Sequence, residues 1–372
     1  MNNKLRVGLV YGGKSGEHDV SLQTALAVIQ ALDFEKYEIK PFYITKYGDW
    51  VSGKAIRERI ENKEQLLLQQ EVTVENSRPS SVQALTPLFR TALEDQAGES
   101  AIDVMFPLLH GTFGEDGTIQ GLFEMADIPY VGAGVLASAV GMDKVMMKKL
   151  FAEAGIAQCM YRYFTRYQWK QDASYYITEI EVTLGYPCFV KPANLGSSVG
   201  ISKAGNREEL IAAIEEALRF DRKVIVEEMV DGREIEVAVL GNDEPLASVP
   251  GEIVASNDFY DYRAKYVDGK SALVIPAEMP DAQKEEVREL ALRAYAAIDG
   301  SGLSRVDFFL EKHNGQFLIN EINTMPGFTP ISMYPMLWQE SGKSYQELLD
   351  DLIRFARERY NDKQQNQYVF DV

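Results

Sequence analysis

Apolar runs and amphipathic patterns alternate along the first third of the chain. An apolar run over residues 5–11 ends at a glycine pair, an amphipathic pattern covers residues 20–32, and a second apolar run covers residues 37–44. A third apolar run, residues 102–109, precedes another glycine-rich stretch. Strand, helix and strand in this order are typical of an open parallel sheet with helices packed on it. We therefore predict an N-terminal α/β domain over residues 1–132.

The middle of the chain has the pattern of a smaller α/β unit. Its predicted elements are helices over 138–154 and 207–218 and strands over 189–192, 200–203 and 223–228. A loop rich in glycine and serine joins the first two of these strands. We predict a central domain over residues 133–227.

The last part of the chain alternates strands with one long helix. The strands are predicted over 234–240, 305–310 and 316–322, and the helix over 281–298. We predict a C-terminal domain over residues 228–372. Residues 53–99 are rich in Glu and Gln with weak periodicity, which indicates a peripheral insertion in the first domain.

The size and charge of the chain restrict its class. Its 372 residues suffice for two or three domains, and its net charge of −18 opposes nucleic acid or an anionic membrane as a partner. A polyanionic substrate such as ATP would therefore need locally concentrated Lys and Arg. The two cysteines are too few for a disulfide framework, and neither a membrane span nor a signal peptide is visible. These features predict a cytoplasmic protein.

The most informative chemical pattern lies in a predicted β-hairpin near the C-terminus. Glu321 and Asn323 share one face of its second strand, because side chains in a strand alternate with a period of two. A two-residue loop would send Asp307 to the opposite face, whereas a three-residue loop, residues 313–315, would pair Asp307 with Glu321. The second register brings three oxygen ligands together and predicts a magnesium or manganese site. The alternative is an ordinary solvated hairpin face.

A second pattern is the glycine- and serine-rich segment KPANLGSSVG, residues 191–200. Its backbone N–H groups can surround phosphate oxygens, and Lys191 supplies a positive charge at its start. Lys144, near a predicted helix start, is another candidate for phosphate binding. A plain hairpin loop and a solvated lysine are the respective alternatives.

The turn after the first strand is a candidate substrate site. Residues 8–15 match the P-loop pattern, but we reject the match because Gly8 lies inside the strand rather than after it. The turn at residues 12–13 instead places Glu17 at the carboxyl edge of the sheet, where open α/β sheets bind ligands. Glu17 could hold a substrate ammonium there. The alternative is an interaction with the dipole of the following helix.

Two further segments are typical of a nucleotide pocket and its cover. Glu227 and Glu228 precede a glycine turn and Glu234 follows it, so their carboxylates could accept hydrogen bonds from ribose hydroxyls. Residues 258–266 concentrate aromatic and charged side chains without periodicity, which favours a lid over the alternative of a packed surface loop. The three histidines are far apart, and no activated nucleophile is visible, which opposes a histidine-based metal site and acyl-enzyme chemistry.

In this order the segments resemble the ATP-grasp superfamily and, within it, the D-alanine–D-alanine ligase family. The matching motifs are GGKSGEHDVS (12–21), HGTFGEDG (110–117), MDK (142–144), KPANLGSSVG (191–200), FYDYRAKY (259–266) and NEINTMPG (320–327). The resemblance covers nearly the whole chain apart from residues 53–99. It implies an open parallel α/β domain followed by a two-lobed ATP-grasp fold, and a homodimer. The implied activity is ATP-dependent ligation of two D-alanine molecules through a D-alanyl phosphate, for peptidoglycan precursor synthesis.

The resemblance also implies residue roles. The residues implied to bind ATP are Lys144, Lys191, Ser197, Ser198, Glu227, Glu228, Val230, Glu234, Lys265, Phe309 and Asn320. Those implied to hold two magnesium or manganese ions are Asp307, Glu321 and Asn323. Those implied to contact the D-alanine substrates are Glu17, His110, Ser332 and Met333. Arg305 and the backbone N–H of Gly327 would stabilise the oxyanion, and Ser197, Tyr266 and Glu17 resemble a hydrogen-bonded trio that joins the lid to the site.

Two rival functions stay open at this point. Relatives that make D-alanine–D-lactate commonly carry Phe at the place of Tyr266, so the tyrosine favours D-alanine as the second substrate. A sister enzyme that uses D-lactate or D-serine is the nearest alternative, and Met333, where leucine is common, lies close to that pocket. The rival from another class is a catalytically silent nucleotide-binding module, which the complete Asp307, Glu321 and Asn323 set opposes.

Overall fold

The computed structural model describes residues 4–68, 102–196, 199–254 and 272–368. Three sheets organise this part of the chain. Their mixture of parallel and antiparallel pairing, with helices packed on their faces, confirms the expected α/β and α+β class. No helix in the described ranges is long and apolar enough to cross a membrane.

The first sheet is the open sheet that the sequence predicts, and it is parallel except for one antiparallel edge strand. Its strands are β1 (Leu5–Gly12), β2 (Tyr37–Ile44), β3 (Trp50–Ser52) and β4 (Val104–Pro107), in the order β3-β2-β1-β4. β1 pairs in parallel with both β2 and β4. The helices of this region are α1 (His18–Ala31), a short 3₁₀ helix (Lys63–Leu66), α2 (Thr118–Met125) and α3 (Val135–Met142). Gly8 lies within β1, so the rejection of the P-loop match is confirmed.

The second sheet is antiparallel and belongs to the middle of the chain. Its strands are β5 (Tyr161–Thr165), β6 (Cys188–Pro192), β7 (Ser202–Ala204) and β8 (Lys223–Glu228), in the order β5-β8-β6-β7. The helices before and around it are α4 (Lys144–Glu153), α5 (Arg166–Gln171), α6 (Ala173–Thr183) and α7 (Arg207–Phe220). This sheet has a hydrophobic core of its own.

The third sheet carries the predicted hairpin. Its strands are β9 (Gly232–Gly241), β10 (Leu246–Ala247), β11 (Gly251–Val254), β12 (Ala272–Val274), β13 (Gly302–Glu311) and β14 (Phe317–Asn323). The path runs β12-β11-β9-β13-β14, and β10 pairs with β9. The helices of this region are α8 (Asp281–Ala297), α9 (Met333–Glu340) and α10 (Tyr345–Lys363).

The predicted helix over residues 138–154 is wrong in one respect, because it is two helices. Asp143 lies between α3 and α4 in an extended conformation, and its carboxylate accepts hydrogen bonds from the backbone N–H groups of Val145 and Met146. An aspartate in this position satisfies donors that a helix start leaves unpaired. The break places Lys144 at the first position of α4.

The helix predicted over 281–298 is confirmed as α8, but the last part of the chain contains a second long helix, α10, which was not predicted. Ser344 and Glu347 form a capping box at its start. Leu348, Leu349, Leu352 and Ile353 then recur at helical spacing and are buried. The sequence therefore contains the signals of this helix.

The N-terminal sheet and the C-terminal helices share one hydrophobic core. That cluster contains Val7 and Leu9 of β1, Leu240 of β9, and Leu348 and Leu352 of α10. Helix α4 instead joins the other two sheets. Its residues Met147 and Phe151 lie in the core of the third sheet, whereas Val145 packs with Ala193 and Ile225 beside the second sheet.

Arg359 of α10 ties the first domain to the third sheet. Its guanidinium donates to the carbonyls of Gly132 and Tyr130 and to Ser301 Oγ, the last at 2.7 Å. It also lies 4.3 Å from the ring centroid of Tyr130. Tyr130 and Gly132 belong to the first domain, and Ser301 directly precedes β13. The Arg359 side chain therefore connects α10 to both of these segments.

We expect Arg359→Met to lower the free energy of unfolding by about 3 kcal/mol, because several charge-assisted hydrogen bonds are lost at a partly buried position. Urea denaturation measures the change. Arg354→Met on the same helix is the matched control. Its partners Asp351 and Glu358 form exposed ion pairs, so its effect should stay within about 1 kcal/mol. Equal effects would contradict a tying role for Arg359.

Candidate active site

The register of the β13–β14 hairpin decides where Asp307 points. Asp307 pairs directly with Glu321, so this prediction is confirmed, but the three-residue loop on which it rested is wrong. Glu311 and Gln316 are joined by a backbone hydrogen bond of 2.9 Å, which leaves a four-residue loop, 312–315, between them. If both strands continued from this loop without a bulge, Asp307 would pair with Asn320. A β-bulge between Asp307 and Phe308 shifts the register by one residue and restores the pairing with Glu321.

The three predicted metal ligands converge on one face of the hairpin. Asn323 Nδ2 donates to Asp307 Oδ2 at 2.9 Å, and Glu321 shares the Asn323 face by strand alternation. Two carboxylates and an amide are oxygen donors of the kind that Mg²⁺ and Mn²⁺ prefer, so the residues fit such an ion. No group of three or more His, Cys, Asp and Glu suited to a metal occurs within the described ranges. The amide and oxygens from a bound ligand would therefore have to complete the coordination.

Arg305 lies between two carboxylates on the same face. It donates from Nε to Asp307 Oδ1 and from Nη2 to Asp307 Oδ2, both at 2.7 Å. Its Nε also lies 3.0 Å from Glu236 Oε2. Strand pairing puts Glu236, Asp307 and Glu321 side by side across β9, β13 and β14. Burial acts to lower the pKa of Arg305, but Asp307 and Glu236 outweigh it and raise the pKa well above its usual value.

Lys144 joins the hairpin to the predicted phosphate loop. Its Nζ donates to the carbonyl of Leu195 at 2.9 Å and lies 3.4 Å from Glu321 Oε2. The alternative of a freely solvated lysine is therefore wrong, since Lys144 is buried. One ammonium thus lies at both candidate sites, the metal ligands and the Gly/Ser-rich loop.

Lys191 is paired with Glu227 rather than pointing into open solvent. The Nζ–Oε2 distance is 2.5 Å, and a second lysine, Lys148, lies 3.0 Å from Glu227 Oε1. Burial acts to raise the pKa of Glu227, but the two ammonium groups outweigh it and lower the pKa to about 2. Glu227 is therefore ionised at neutral pH. The sequence did not single out Lys148, although its spacing of four from Lys144 puts both on one face of α4.

The other predicted nucleotide residues line the strands next to this cluster. Glu228 Oε1 accepts a hydrogen bond of 2.6 Å from the backbone N–H of Met160. Glu234 on β9 pairs with Phe309 on β13, and Asn320 occupies the bulge. Val230, between β8 and β9, is half-buried.

Glu17 lies where the N-terminal domain meets the phosphate loop. A Cβ atom added at Gly111 would be 2.7 Å from Glu17 Oε2, and one added at Gly196 would be 3.9 Å from it. The backbone of Gly111 is left-handed, with φ +74°, so glycine here allows the close approach of the carboxylate. Glu17 makes no capping hydrogen bond to α1 with its side chain. Its carboxylate is therefore placed towards the other predicted site residues.

His110 is buried beside Glu17. Its Nδ1 lies 3.6 Å from Glu115 Oε1 and its Nε2 lies 3.2 Å from Thr24 Oγ1. Burial acts to lower the pKa of His110, but Glu115 and Glu17 outweigh it and the pKa is raised above its usual value.

Gly327, Ser332 and Met333 are close together after β14. A Cβ atom added at Gly327 would lie 3.2 Å from Ser332 Oγ. Ser332 Oγ also accepts a hydrogen bond of 3.1 Å from the backbone N–H of Thr329. Met333 starts α9 and is buried, near the backbone of Gly251. The predictions for Ser197, Ser198, Lys265 and Tyr266, and for the lid over 258–266, concern positions outside the described residues.

Comparison with known protein families accounts for most of the chain. The family model described as D-ala D-ala ligase N-terminus matches residues 6–133, and the one described as D-ala D-ala ligase C-terminus matches residues 150–354. A D-alanine--D-alanine ligase from Bacillus cytotoxicus is 55% identical, over 98% of this chain and 99% of the relative. One from Geobacillus thermodenitrificans is 53% identical, over 99% of this chain and 100% of the relative.

Solved structures agree with these relatives. The D-alanine-D-alanine ligase from Coxiella burnetii superposes with a TM-score of 0.78 at 33% identity, covering 97% of this chain and 96% of that one. The VanG D-Ala:D-Ser ligase from Enterococcus faecalis has a TM-score of 0.78 at 35% identity, covering 95% of this chain and 100% of that one. The chain therefore belongs to the D-alanine–D-alanine ligase family and has its ATP-grasp fold.

Proposed function

We propose that this protein joins two D-alanine molecules at the expense of ATP, giving D-alanyl-D-alanine, ADP and phosphate for peptidoglycan precursor synthesis. The observation that carries the proposal is that Asp307, Glu321 and Asn323 meet Lys144. Glu17 Oε2 lies near Gly196, next to the Leu195 carbonyl that Lys144 contacts, and we call this junction the cleft. This cleft combines sites for phosphate, hard cations and a substrate ammonium. Relatives more than half identical over nearly their whole length carry the same name.

The first half-reaction uses the residues around the phosphate loop. Lys144 and Lys191, with Ser197 and Ser198, would bind the ATP phosphates. Asp307, Glu321 and Asn323 would hold two Mg²⁺ or Mn²⁺ ions, which when bound offset phosphate charge. Glu17 would hold the ammonium of the first D-alanine, so that its carboxylate attacks the γ-phosphorus and displaces ADP. The product of this step is D-alanyl phosphate.

The rest of the nucleotide would lie along the two facing sheets. Glu227, Glu228 and Val230 would bind adenine, and Glu234 the ribose. Phe309 and Asn320 would complete the pocket from the third sheet, and Lys265 would contribute from the lid. The support is the location of Glu227, Glu228, Glu234, Phe309 and Asn320 on the strands that flank the lysine cluster.

The second half-reaction uses the other end of the cleft. Ser332 would bind the carboxylate of the second D-alanine, with His110 and Met333 nearby, and its deprotonated amine would attack the acyl carbon. Arg305 and the backbone N–H of Gly327 would stabilise the tetrahedral oxyanion before phosphate leaves. Arg305 uses Nε and Nη2 for its carboxylate partners, so Nη1 is the group proposed to face the oxyanion. Ser197, Tyr266 and Glu17 would link the lid to this site.

Phosphate release tests the proposal directly. With ATP and Mg²⁺, we expect release to require D-alanine and to be absent with L-alanine. With the ammonium held by Glu17 and the carboxylate directed to the γ-phosphorus, the two hands of the substrate place the methyl group at different positions. Release without D-alanine, or equal release with L-alanine, would contradict the proposal. No release under any of these conditions would favour a catalytically silent nucleotide-binding module.

The identity of the second substrate is a separate question, because a D-Ala:D-Ser ligase is among the similar structures. We expect D-alanine to be used in preference to D-serine and D-lactate. Competition between D-alanine and D-lactate measured from pH 6 to pH 9 checks this, because only the amine must lose a proton before it attacks. The D-alanyl-D-alanine share should rise with pH and dominate at neutral pH. A dominant D-lactate product at neutral pH would overturn the choice.

Three properties complete the proposal. Division into domains near residues 132 and 227 follows the positions of the three sheets. We place the enzyme in the cytoplasm, which supplies ATP and keeps thiols reduced, because both cysteines are buried free thiols. We also propose a homodimer, as the family implies, with no nucleic acid or membrane partner.

A further inference from the structure

Lys148 is a fully buried lysine that the proposed reaction does not use. Its side chain is 0% exposed in the middle of α4, one helical turn after Lys144. Its Nζ lies 3.0 Å from Glu227 Oε1 and donates to Cys159 Sγ at 3.5 Å. Removing a lysine ammonium from water is unfavourable unless a negative charge compensates it. Glu227 supplies that charge, and the pKa of Lys148 is raised although burial acts to lower it.

Glu227 therefore has two positive partners, one on each carboxylate oxygen. Lys148 lies against Oε1 and Lys191 against Oε2. Lys191 on β6 and Glu227 on β8 are diagonal neighbours on adjacent strands, since Glu227 pairs with Phe189. Two ammonium groups and one carboxylate leave this buried cluster with one net positive charge.

The net charge matters because of what Lys191 is proposed to bind. If Glu227 and Lys191 formed the cluster alone, the pair would be neutral, and a phosphate would have to compete with the carboxylate for the ammonium. A second lysine on the other oxygen shares the carboxylate charge. Lys191 then keeps positive charge and free N–H donors for an anion.

We propose that Lys148 is a positioning residue for the nucleotide: it balances Glu227, so that Lys191 remains an effective cation for the phosphate chain. This inference rests on the proposed function. The location of Lys148 on α4 supports this inference, because the same face of the helix places Lys144 next to Glu321 and the Leu195 carbonyl. One rigid helix thus sets both phosphate-directed ammonium groups relative to the second and third sheets.

Calorimetry without metal can compare the binding of ADP with that of adenosine. A change in charge at the cluster should affect only ADP, whereas a change in the shape of the pocket should affect both ligands. In Lys148→Met the ADP dissociation constant should rise roughly 10- to 50-fold, as expected for loss of one positive charge near the phosphates at an effective dielectric constant of about 20. The adenosine constant should change less than about threefold, because adenosine has no phosphate and methionine fills the lysine volume. Lys149→Met is the matched control. Lys149 is the next residue on α4 but contacts Tyr163 at the surface, so both constants should be unchanged.

The double variant Lys148→Met/Glu227→Gln is an independent test, because it removes the Glu227 carboxylate charge together with the lysine charge that balances it. It carries the same net charge at the cluster as the wild type. Its ratio of ADP to adenosine affinity should therefore return to within about threefold of the wild-type ratio, whatever glutamine does to adenine binding. A ratio that stays lowered in the double variant overturns the proposal. So does an equal loss of ADP and adenosine affinity in Lys148→Met, or an unchanged ADP affinity. Failure of the wild type to bind ADP even with Mg²⁺ present would instead contradict the proposed function.

Discussion

Glu321→Gln is expected to lower kcat by roughly 10³-fold, because several kcal/mol of charge stabilisation at the phosphates depends on a full carboxylate at this position. Glutamine keeps the volume of the side chain and one oxygen, so no cavity forms. The oxygen that lies 3.4 Å from Lys144 can be replaced by the amide oxygen. The thermal unfolding temperature should therefore stay within a few degrees of the wild type.

Phosphate release at increasing Mg²⁺ concentration, with saturating D-alanine and ATP, measures this effect. The Mg²⁺ concentration for half-maximal rate should rise together with the fall in kcat. Glu311→Gln is the control, because Glu311 lies on the same hairpin but at its loop end, where it accepts from Asn314. It should retain near-normal turnover. Near-normal turnover in Glu321→Gln would remove the metal-ligand role from this hairpin.

The sequence predicted that Asp307, Glu321 and Asn323 come together, but not the geometry that brings them together. Pairing of Asp307 with Glu321 was expected from a three-residue loop, and the chain reaches it by a longer loop and a bulge. The bulge has a signal in the sequence. Asn320 and Glu321 are consecutive polar residues between Ile319 and Ile322, which breaks the period of two. Both isoleucines lie in one hydrophobic cluster, although an uninterrupted strand would place residues three apart on opposite faces.

Long-range ion pairs could not be read from the sequence. Lys148 and Glu227 lie far apart in the chain, and nothing local marks them as partners. The same holds for Glu236, which is next to Asp307 only because β9 and β13 are neighbours. Sequence patterns identify elements through periodicity, caps and turns, so they located the strands of the hairpin well. They do not encode which charged side chains meet after three sheets have packed.

Arg305→Met is the second variant with a large expected effect, because it removes the guanidinium between Asp307 and Glu236. Its loss leaves two neighbouring buried carboxylates without their cation, so the free energy of unfolding should fall by about 3–5 kcal/mol. Turnover should fall as well, by roughly 10²- to 10³-fold, if Arg305 also stabilises the oxyanion. Urea denaturation and single-turnover peptide formation measure the two effects separately.

The double variant Arg305→Met/Glu236→Gln separates the structural role of Arg305 from the catalytic one. Glu236 lies beside Asp307 on the neighbouring strand, 3.0 Å from Arg305 Nε, so removing its charge relieves the repulsion that the single variant creates. Part of the lost stability should return, by about 1–3 kcal/mol, while turnover stays low because glutamine supplies no cation at the oxyanion. Recovery of turnover along with stability would contradict the catalytic role and leave Arg305 as a structural ion-pair partner.

The stability deficit of Arg305→Met should also shrink in Mg²⁺ and a non-hydrolysable ATP analogue, since a divalent cation at Asp307 would replace the missing positive charge.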